Sequence, residues 1–430
     1  MRESPLLDPR IFSLAIARMV SALANSFLVV VLPLYIGSQA VRLPALTGSA
    51  VSVLGVRIAV SVELLIAIVL SLFGFLNSLS QPLTGSLSDR TGRRKPFLLF
   101  GLALVASGSA GYLIFTDYLL VLAMRGLQGI GAAFSIPISV ALVNELSDPE
   151  ERGNNFGLFN TFRLLGFGVG PLVAGVVVAG GPYVLTGRSI SGFDAAFLVA
   201  VVGAAVSFAL ITLLISDPER AEETAGEDIS IRVRGEHGGL DPVFALGVAT
   251  IVMALSIAIY APLANVINER LNQGSFLYSI QFGATVLANV LFQLPLGRLS
   301  DTYGRRPFLI GGFILLLPTT LAQGLVTSST GMIVARFLQG VAVAAVFAPS
   351  LALAGDLARE GASGSTLSLL TMGFGLGIAV GTLLSGVLVS FGFVVPFIVA
   401  TAGGAIGLVL VITQVVEPDS DETVAAPAGD

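Results

Sequence analysis

"GSLSDRTGRRKP", residues 85–96, sets one acid and four bases in twelve residues of a chain that is only 11% charged. The chain writes it again as "GRLSDTYGRRP", residues 297–307. Gly85, Asp89, Gly92, Arg93 and Arg94 recur 212 residues later as Gly297, Asp301, Gly304, Arg305 and Arg306. After one extra residue, Lys95, the offset becomes 211 and holds. Pro96 matches Pro307, Arg125 matches Arg336, Gln128-Gly129 matches Gln339-Gly340, and Glu145 matches Asp356. Gly166, Gly170 and Gly175 continue the register as Gly377, Gly381 and Gly386. A register kept from Gly85 to Gly175 is that of two copies of one unit.

Outside the motifs the chain is apolar: 54% of its 430 residues are hydrophobic, and mean hydropathy is +0.91. A soluble protein carries about 25% charged residues, so this chain belongs in a membrane. Its apolar stretches are about 20 residues long, enough to cross ~30 Å of hydrocarbon. Twelve spans are expected, at 11–37, 61–84, 96–116, 119–147, 154–180, 194–216, 241–266, 275–297, 307–326, 330–357, 364–390 and 394–416. The fold class is therefore an all-α membrane protein, with 12 transmembrane helices in two pseudo-symmetric six-helix bundles. Residues 1–216 form the first bundle, 217–240 a hydrophilic linker, 241–416 the second bundle and 417–430 an acidic tail.

An even number of spans puts both termini on one side. Of the 22 Lys and Arg, 14 fall on that side, four (Arg42, Arg57, Arg188, Arg270) on the other, and four (Arg18, Arg125, Arg163, Arg336) inside spans. The positive-inside rule makes the terminal side cytoplasmic and the protein a multi-pass protein of the cell membrane.

Several chemistries are excluded. There is no cysteine, and the single histidine, His237, lies in the linker. No H-E-x-x-H, G-x-S-x-G or Walker A motif is present, and no pair of carboxylates lies mid-span, so neither an enzyme nor an ATP-driven pump is expected. No cofactor or metal is implied, and the basic loops are too short for nucleic acid.

With both motif copies in place, the chain resembles the major facilitator superfamily over essentially its whole length. "RGLQGIGAA" from Arg125 is similar to a fourth-helix motif of proton-coupled members. "GFGVGPLVAG", Gly166 to Gly175 with Pro171 inside it, is similar to the fifth-helix motif of the 12-helix drug/proton antiporter branch. Ala174 stands where that motif often has a second glycine. The resemblance implies a monomer that moves a small solute by alternating access, using protons, around a site between the halves.

The residues supply the parts. Gly85 would let the second helix approach a neighbour closely. Asp89 can face the positive end of a helix dipole, by resemblance at the start of the eleventh helix, Ser363–Ser365. Arg93 and Arg94 can reach Glu145, and Arg305 and Arg306 can reach Asp356. "ELSDPEER" adds Arg152 to the same network. Together these groups are expected to clasp a cytoplasmic gate.

Arg125 and Arg336 lie deep in the fourth and tenth spans, each followed by Gln128 or Gln339. They read as structural or coupling groups. Arg163, ~14 Å inside the fifth span with Asn160 one turn before it, reads as a substrate contact. Phe374 stands in its place in the second half. Arg18 reads as an interfacial snorkelling residue. Asn25, Tyr260 and Asn289 are further candidates for the cavity wall. Since no acid lies mid-span, two transport readings stand. One is proton-coupled efflux of a drug or metabolite, as the resemblance implies; the other is exchange or facilitated passage of organic anions, as the lone arginines suggest. A receptor or sensor on a transporter scaffold is the non-transporting alternative.

Overall fold

The computed structural model describes residues 8–53, 55–147, 151–185, 187–217, 233–234, 239–357 and 363–415. The side chains of Arg152 and of residues 363–368, His237, most of the linker and the acidic tail lie outside that description. So does the proposed Asp89 partner at Ser363–Ser365. Among the described residues, 12 helices are long and apolar enough to cross a membrane.

The first half contains α1 (Pro9–Gly37), α2 (Val62–Thr91), α3 (Lys95–Ile114), α4 (Tyr118–Leu146), α5 (Arg152–Gly180) and α6 (Gly192–Leu214). In the second half the seventh span is split into α7 (Pro242–Ala258), a short 3-10 turn at Ala261–Leu263, and α8 (Ala264–Arg270). Pro262 sits in that turn, where its missing N–H opens the helical ladder. There follow α9 (Ser275–Tyr303), α10 (Arg305–Leu325), α11 (Ser329–Asp356), α12 (Ser363–Leu388) and α13 (Val395–Gln414).

Polar residues start most helices. Asp8, Ser61, Asp117, Asp241 and Ser328 each accept a hydrogen bond from a backbone N–H of the first turn. Ser191 and Asp194 form a reciprocal capping box on α6. These caps satisfy amides that lipid cannot.

The sequence motifs are more helical than expected. The second span does not end near residue 84. It runs on to Thr91 and stops at Gly92, whose φ of 62° is left-handed. The eighth span likewise continues to Tyr303 and stops at Gly304. Gly85, Asp89, Gly297 and Asp301 are thus helical residues rather than loop residues. Charged residues lower hydropathy without lowering helix propensity, so a helix can outrun the bilayer.

Two small hairpins were not anticipated. β1 (Ala50–Val53) pairs with β2 (Val56–Ala59), and β3 (Tyr183–Leu185) with β4 (Arg188–Ile190), both antiparallel. Each turns at a glycine of positive φ, Gly55 at 82° and Gly187 at 79°, as two-residue hairpin turns require. Both lie in the first half, on the side away from the terminal ends of the bundle. That side is called the hairpin end below, and the opposite one the motif end.

The two halves repeat their packing. The pairs α1–α5, α1–α6, α2–α4, α3–α4 and α3–α6 recur as α7–α12, α7–α13, α9–α11, α10–α11 and α10–α13. Between halves, α2 packs on α12 and α5 on α9. At the hairpin end one apolar cluster joins both halves, running from Phe27, Tyr35 and Val69 to Tyr260, Tyr278 and Phe397. At the motif end each half keeps its own cluster: Leu14, Leu98, Leu142 and Ile211 in the first, Leu246, Leu309, Val346 and Val411 in the second. The bundle is welded at one end and divided at the other.

Candidate functional site

Each half carries an ionic clasp at its motif end. In the first, Arg94 lies between α2 and α3 with its side chain 4% exposed. Its Nε and Nη2 donate to Glu145 Oε1 at 2.9 and 2.6 Å, and its Nη1 donates to Ser88 Oγ at 3.0 Å and to Asp89. Burial alone would pull the guanidinium down. The bonds to Glu145 and Asp89 reverse this and hold it above its ordinary value. Asp217, just beyond α6, accepts from the Arg94 and Lys95 amides at 3.0 and 2.6 Å, capping α3 from another part of the chain. The sequence reading missed Asp217, because a cap supplied from far along the chain leaves no local signature.

The second clasp is shifted by one residue. Arg305, the counterpart of Arg93, pairs with Asp356 and Asp301. Arg306, the counterpart of Arg94, donates from Nη2 to the Ile412 carbonyl at 2.6 Å. Arg93 itself is exposed. The cause is the inserted Lys95: two residues separate Gly92 from α3, whereas α10 begins directly after Gly304. The contacts named here for each clasp lie within one half. The close approach expected of Gly85 is absent here, since a Cβ on Gly85 would meet nothing within 4 Å.

Arg125 and Arg336 are 2% and 1% exposed. Their seats are twins. Arg125 Nη1 donates to Gln128 Oε1 at 3.0 Å, and Gln128 Nε2 donates to Ser109 at 3.0 Å. Arg336 Nη1 donates to Gln339 Oε1 at 2.7 Å, and Gln339 Nε2 donates to Thr320 at 3.1 Å. Among the described residues no acid pairs with either guanidinium. Instead the guanidinium lies over an aromatic face, 4.2 Å from the Phe73 centroid and 4.1 Å from that of Tyr260. Tyr260 is fully buried and also donates to Gln281 at 2.6 Å. It therefore supports Arg336 rather than lining a cavity.

The fifth-helix glycines are contact points. A Cβ on Gly166 would stand 2.0 Å from the Met19 carbonyl oxygen, and one on Gly170 2.7 Å from that of Leu23, so α5 lies directly on α1. Gly377 and Gly381 do the same against Ile251 and Leu255 of α7. The third glycine of each stripe reaches across the halves. Gly175 abuts Ser279 of α9, and Gly386 abuts Glu63 and Ala67 of α2. Asn265 Nδ2 adds a cross-half bond to the Pro33 carbonyl at 3.1 Å.

The polar interior of the first half gathers on the motif side of Gly166. Arg163 Nε donates to Asn160 Oδ1 at 3.0 Å, and Gly166, one turn further along α5, packs on Met19, the neighbour of Arg18 on α1. Arg18 is not an interfacial snorkelling residue. It lines an internal pocket with Ser21, Ser135 and Ser139, and its Nε is buried without a partner. Asn25 stands two turns further along α1, its Oδ1 also without a partner. Asn289 lies apart from these on α9 of the other half, half-buried, and Gln293 one turn on has an unpartnered Oε1. Its spacing of four residues from Asn289 was the available signal for Gln293.

The model of the Major Facilitator Superfamily matches residues 14–240 and 246–430. The chain belongs to that superfamily. Among curated members of the superfamily it is 28% identical over 180 residues to Citrate exporter 1 of Aspergillus niger, covering 40% of this chain and 30% of that protein. The chain thus spans less than a third of that relative's length. To the multi-drug resistance efflux pump PmrA homologue of Lactococcus lactis it is 24% identical over 293 residues, covering 66% of this chain and 69% of the relative. Its fold matches the crystal structure of the human organic anion transporter MFSD10 (TETRAN) with a TM-score of 0.67 and 19% identity, over 95% of this chain and 100% of the other. Membership of the Major Facilitator Superfamily agrees with the 12 helices, among the described residues, that are long and apolar enough to cross a membrane.

Proposed function

We propose that the protein exports a small organic anion by alternating access, with Arg163 contacting the solute. One observation carries this reading: Arg163 and Arg18 stand on packed helices, α5 and α1, one turn and one residue from the Gly166–Met19 contact, and neither forms an ion pair among the described residues. Charge at such depth normally faces a partner or a cavity, and an anionic solute is the missing partner. Relatives named as a citrate exporter and an organic anion transporter fit the same chemistry.

The welded hairpin end and divided motif end fit a carrier open toward the motif end. The excess of bases places that end in the cytoplasm, and the resemblance of Arg125 and the Gly166–Gly175 stripe to proton-coupled antiporters supplies protons as the driving ion. Residues 1–216 and 241–416 are the two rocking bodies, and a monomer suffices.

The test is a thermal-shift screen of detergent-purified protein against matched anionic, neutral and cationic solutes, with Arg163→Ala beside the wild type. A ligand at ~100 Kd stabilises the folded state by ~2.7 kcal/mol. Stabilisation by anions that is lost in Arg163→Ala is the expected result. Stabilisation by lipophilic cations, unchanged in the variant, would return the protein to the multidrug reading that its likeness to the PmrA homologue favours.

A further inference from the structure

We propose that the inner side of the α5–α9 seam is a solute site built from both halves, in which Arg163 takes a carboxylate and Asn289 and Gln293 take a hydroxyl of the same molecule. The carrier then selects hydroxylated carboxylates over plain ones. The proposal rests on the organic-anion reading above. It goes further by fixing a second group on the solute and the helix that reads it.

Contacts along the seam fix the levels. Gly175 abuts Ser279, a Cβ on Gly283 would stand 3.0 Å from Leu172, and one on Gly168 would stand 3.8 Å from Val286. Numbers rise along one helix as they fall along the other, so the two run antiparallel. About two turns further toward the motif end, Thr161 therefore comes level with Gln293, and Leu165 with Asn289. Arg163 lies between Thr161 and Leu165, with Asn160 next to Thr161. The four polar residues thus share one level of the bundle, two on each side of the seam.

They also share the seam's inner side. On α5, Gly166 and Gly170 meet α1, while Gly168 and Gly175 meet α9. Helical spacing sets Asn160 and Arg163 on the edge between those two contacts, and the exposed Leu165 and Val169 on the opposite edge. On α9, Thr285 and Ala288 meet Gly340 of α11, while Ser279 and Gly283 meet α5. Asn289 and Gln293 fall between these contacts, and the exposed Leu287 and Leu291 are turned away.

The duplicated fold supplies its own comparison. Asn289 and Gln293 repeat Asn77 and Gln81 of α2 at the offset of 212, and α2 packs on α12 as α9 packs on α5. On α12 Phe374 stands in the place of Arg163 and packs on Phe347, with 5.0 Å between ring centroids. On α2 Gln81 Nε2 donates to Asn77 Oδ1 at 3.2 Å. That pair bonds internally, with phenylalanine in the cation's place. On α9 neither amide makes a hydrogen bond among the described residues, and Gln293 Oε1 is sealed from solvent without a partner. Arg163 makes one hydrogen bond among the described residues, from Nε to Asn160, which leaves both Nη groups to fork a carboxylate. Unbonded buried polar groups cost stability. A hydroxyl suits the amides because it donates to an amide oxygen and accepts from an amide N–H, whereas an ammonium would be repelled by Arg163.

The test uses the full chain in detergent, with butyrate and its 2-, 3- and 4-hydroxy derivatives as probes read by thermal shift and titration calorimetry. Wild type is compared with Gln293→Met, Asn289→Leu, Arg163→Ala and, on the mirror seam, Gln81→Met. We expect one of the hydroxybutyrates to bind the wild type ~10-fold more tightly than butyrate, as one added hydrogen bond allows. Gln293→Met keeps the side-chain volume and should abolish that preference while leaving butyrate binding as it was. Asn289→Leu should reduce the preference in the same way, and it stands in if Gln293→Met does not fold. Arg163→Ala should weaken all four probes, and Gln81→Met should change none. Equal binding of all four probes to the wild type overturns the proposal and leaves the organic-anion reading standing. So does a preference that survives both α9 variants, or one that Gln81→Met abolishes as well. If no carboxylate binds the wild type, the organic-anion reading falls with it.

Discussion

Gly175 and Gly386 are two points at which helices of the two halves meet tightly toward the hairpin end, and enlarging them should push the carrier out of the present state. A Cβ on Gly386 would stand 2.4 Å from the Ala67 Cβ and 2.9 Å from the Glu63 carbonyl oxygen. One on Gly175 would stand 2.5 Å from the Ser279 Cβ. Leucine at either site must part the helices, and overpacking of this kind costs ~1–3 kcal/mol. The two contacts lie in separate helix pairs, α5–α9 and α2–α12, so their costs should add. The double variant then loses at least ~2 kcal/mol in the closed-hairpin state, roughly a 30-fold shift toward the state with that end open. The chain has no cysteine, so labels go where they are wanted. Spin labels at Val184 and Phe391, exposed positions at the hairpin end of opposite halves, report the opening, and a pair at Leu213 and Tyr303 reports the motif end. The expected result is a longer distance for the first pair and a shorter one for the second. An unchanged distribution for both pairs, in protein that still melts cooperatively, would refute the argument.

Other outcomes follow from the two clasps, the arginine seats and the α1 cap. Arg94→Ala leaves Glu145 and Asp89 without their cation and should cost ~3 kcal/mol, the low end for a broken buried pair. Arg305→Ala, in the more exposed clasp, should cost less than ~1 kcal/mol; thermal melts of both variants check the difference. Arg125→Lys should not replace arginine, because an ammonium cannot lie on the Phe73 ring and also bond Gln128 in the guanidinium geometry; melting will show a loss close to that of Arg125→Ala. Asp8 is held below the usual carboxylate range by its bond to Arg10. A depressed acid stabilises above its unfolded value and loses that contribution as pH falls through its folded value. The melting difference between wild type and Asp8→Ala should thus be constant from pH 5 to 8 and shrink only below about pH 4.

Much of this architecture was readable from residues alone, for a specific reason. Spans announce themselves through the hydrocarbon thickness, and the offsets of 212 and 211 announced the two halves. What went unread depends on contacts that distant residues make. The hairpins at Gly55 and Gly187 are too short for a periodicity to register. The Arg94 to Arg305 slip follows from one inserted residue whose effect on helix starts is visible only in space. Arg18 looked interfacial because its depth was judged from the span boundary, whereas the packing of α1 against α4 and α5 leaves it half-buried with its Nε enclosed. Tyr260 looked like a cavity residue because nothing local says that Arg336 will lie upon it.

The unequal burial of the two clasps gives the molecule an unequal response to its solution. Arg94 is 4% exposed and Glu145 17%, while Arg305 is 20% exposed and its acids Asp356 and Asp301 are 51% and 58%. Mobile ions screen charges in contact with water and hardly touch sealed ones. Raising the ionic strength therefore slackens the second half and leaves the first as it was. Two copies of one ancestral unit have become a stiff member and a compliant one, and the salt content of the surrounding fluid is felt through the compliant member alone.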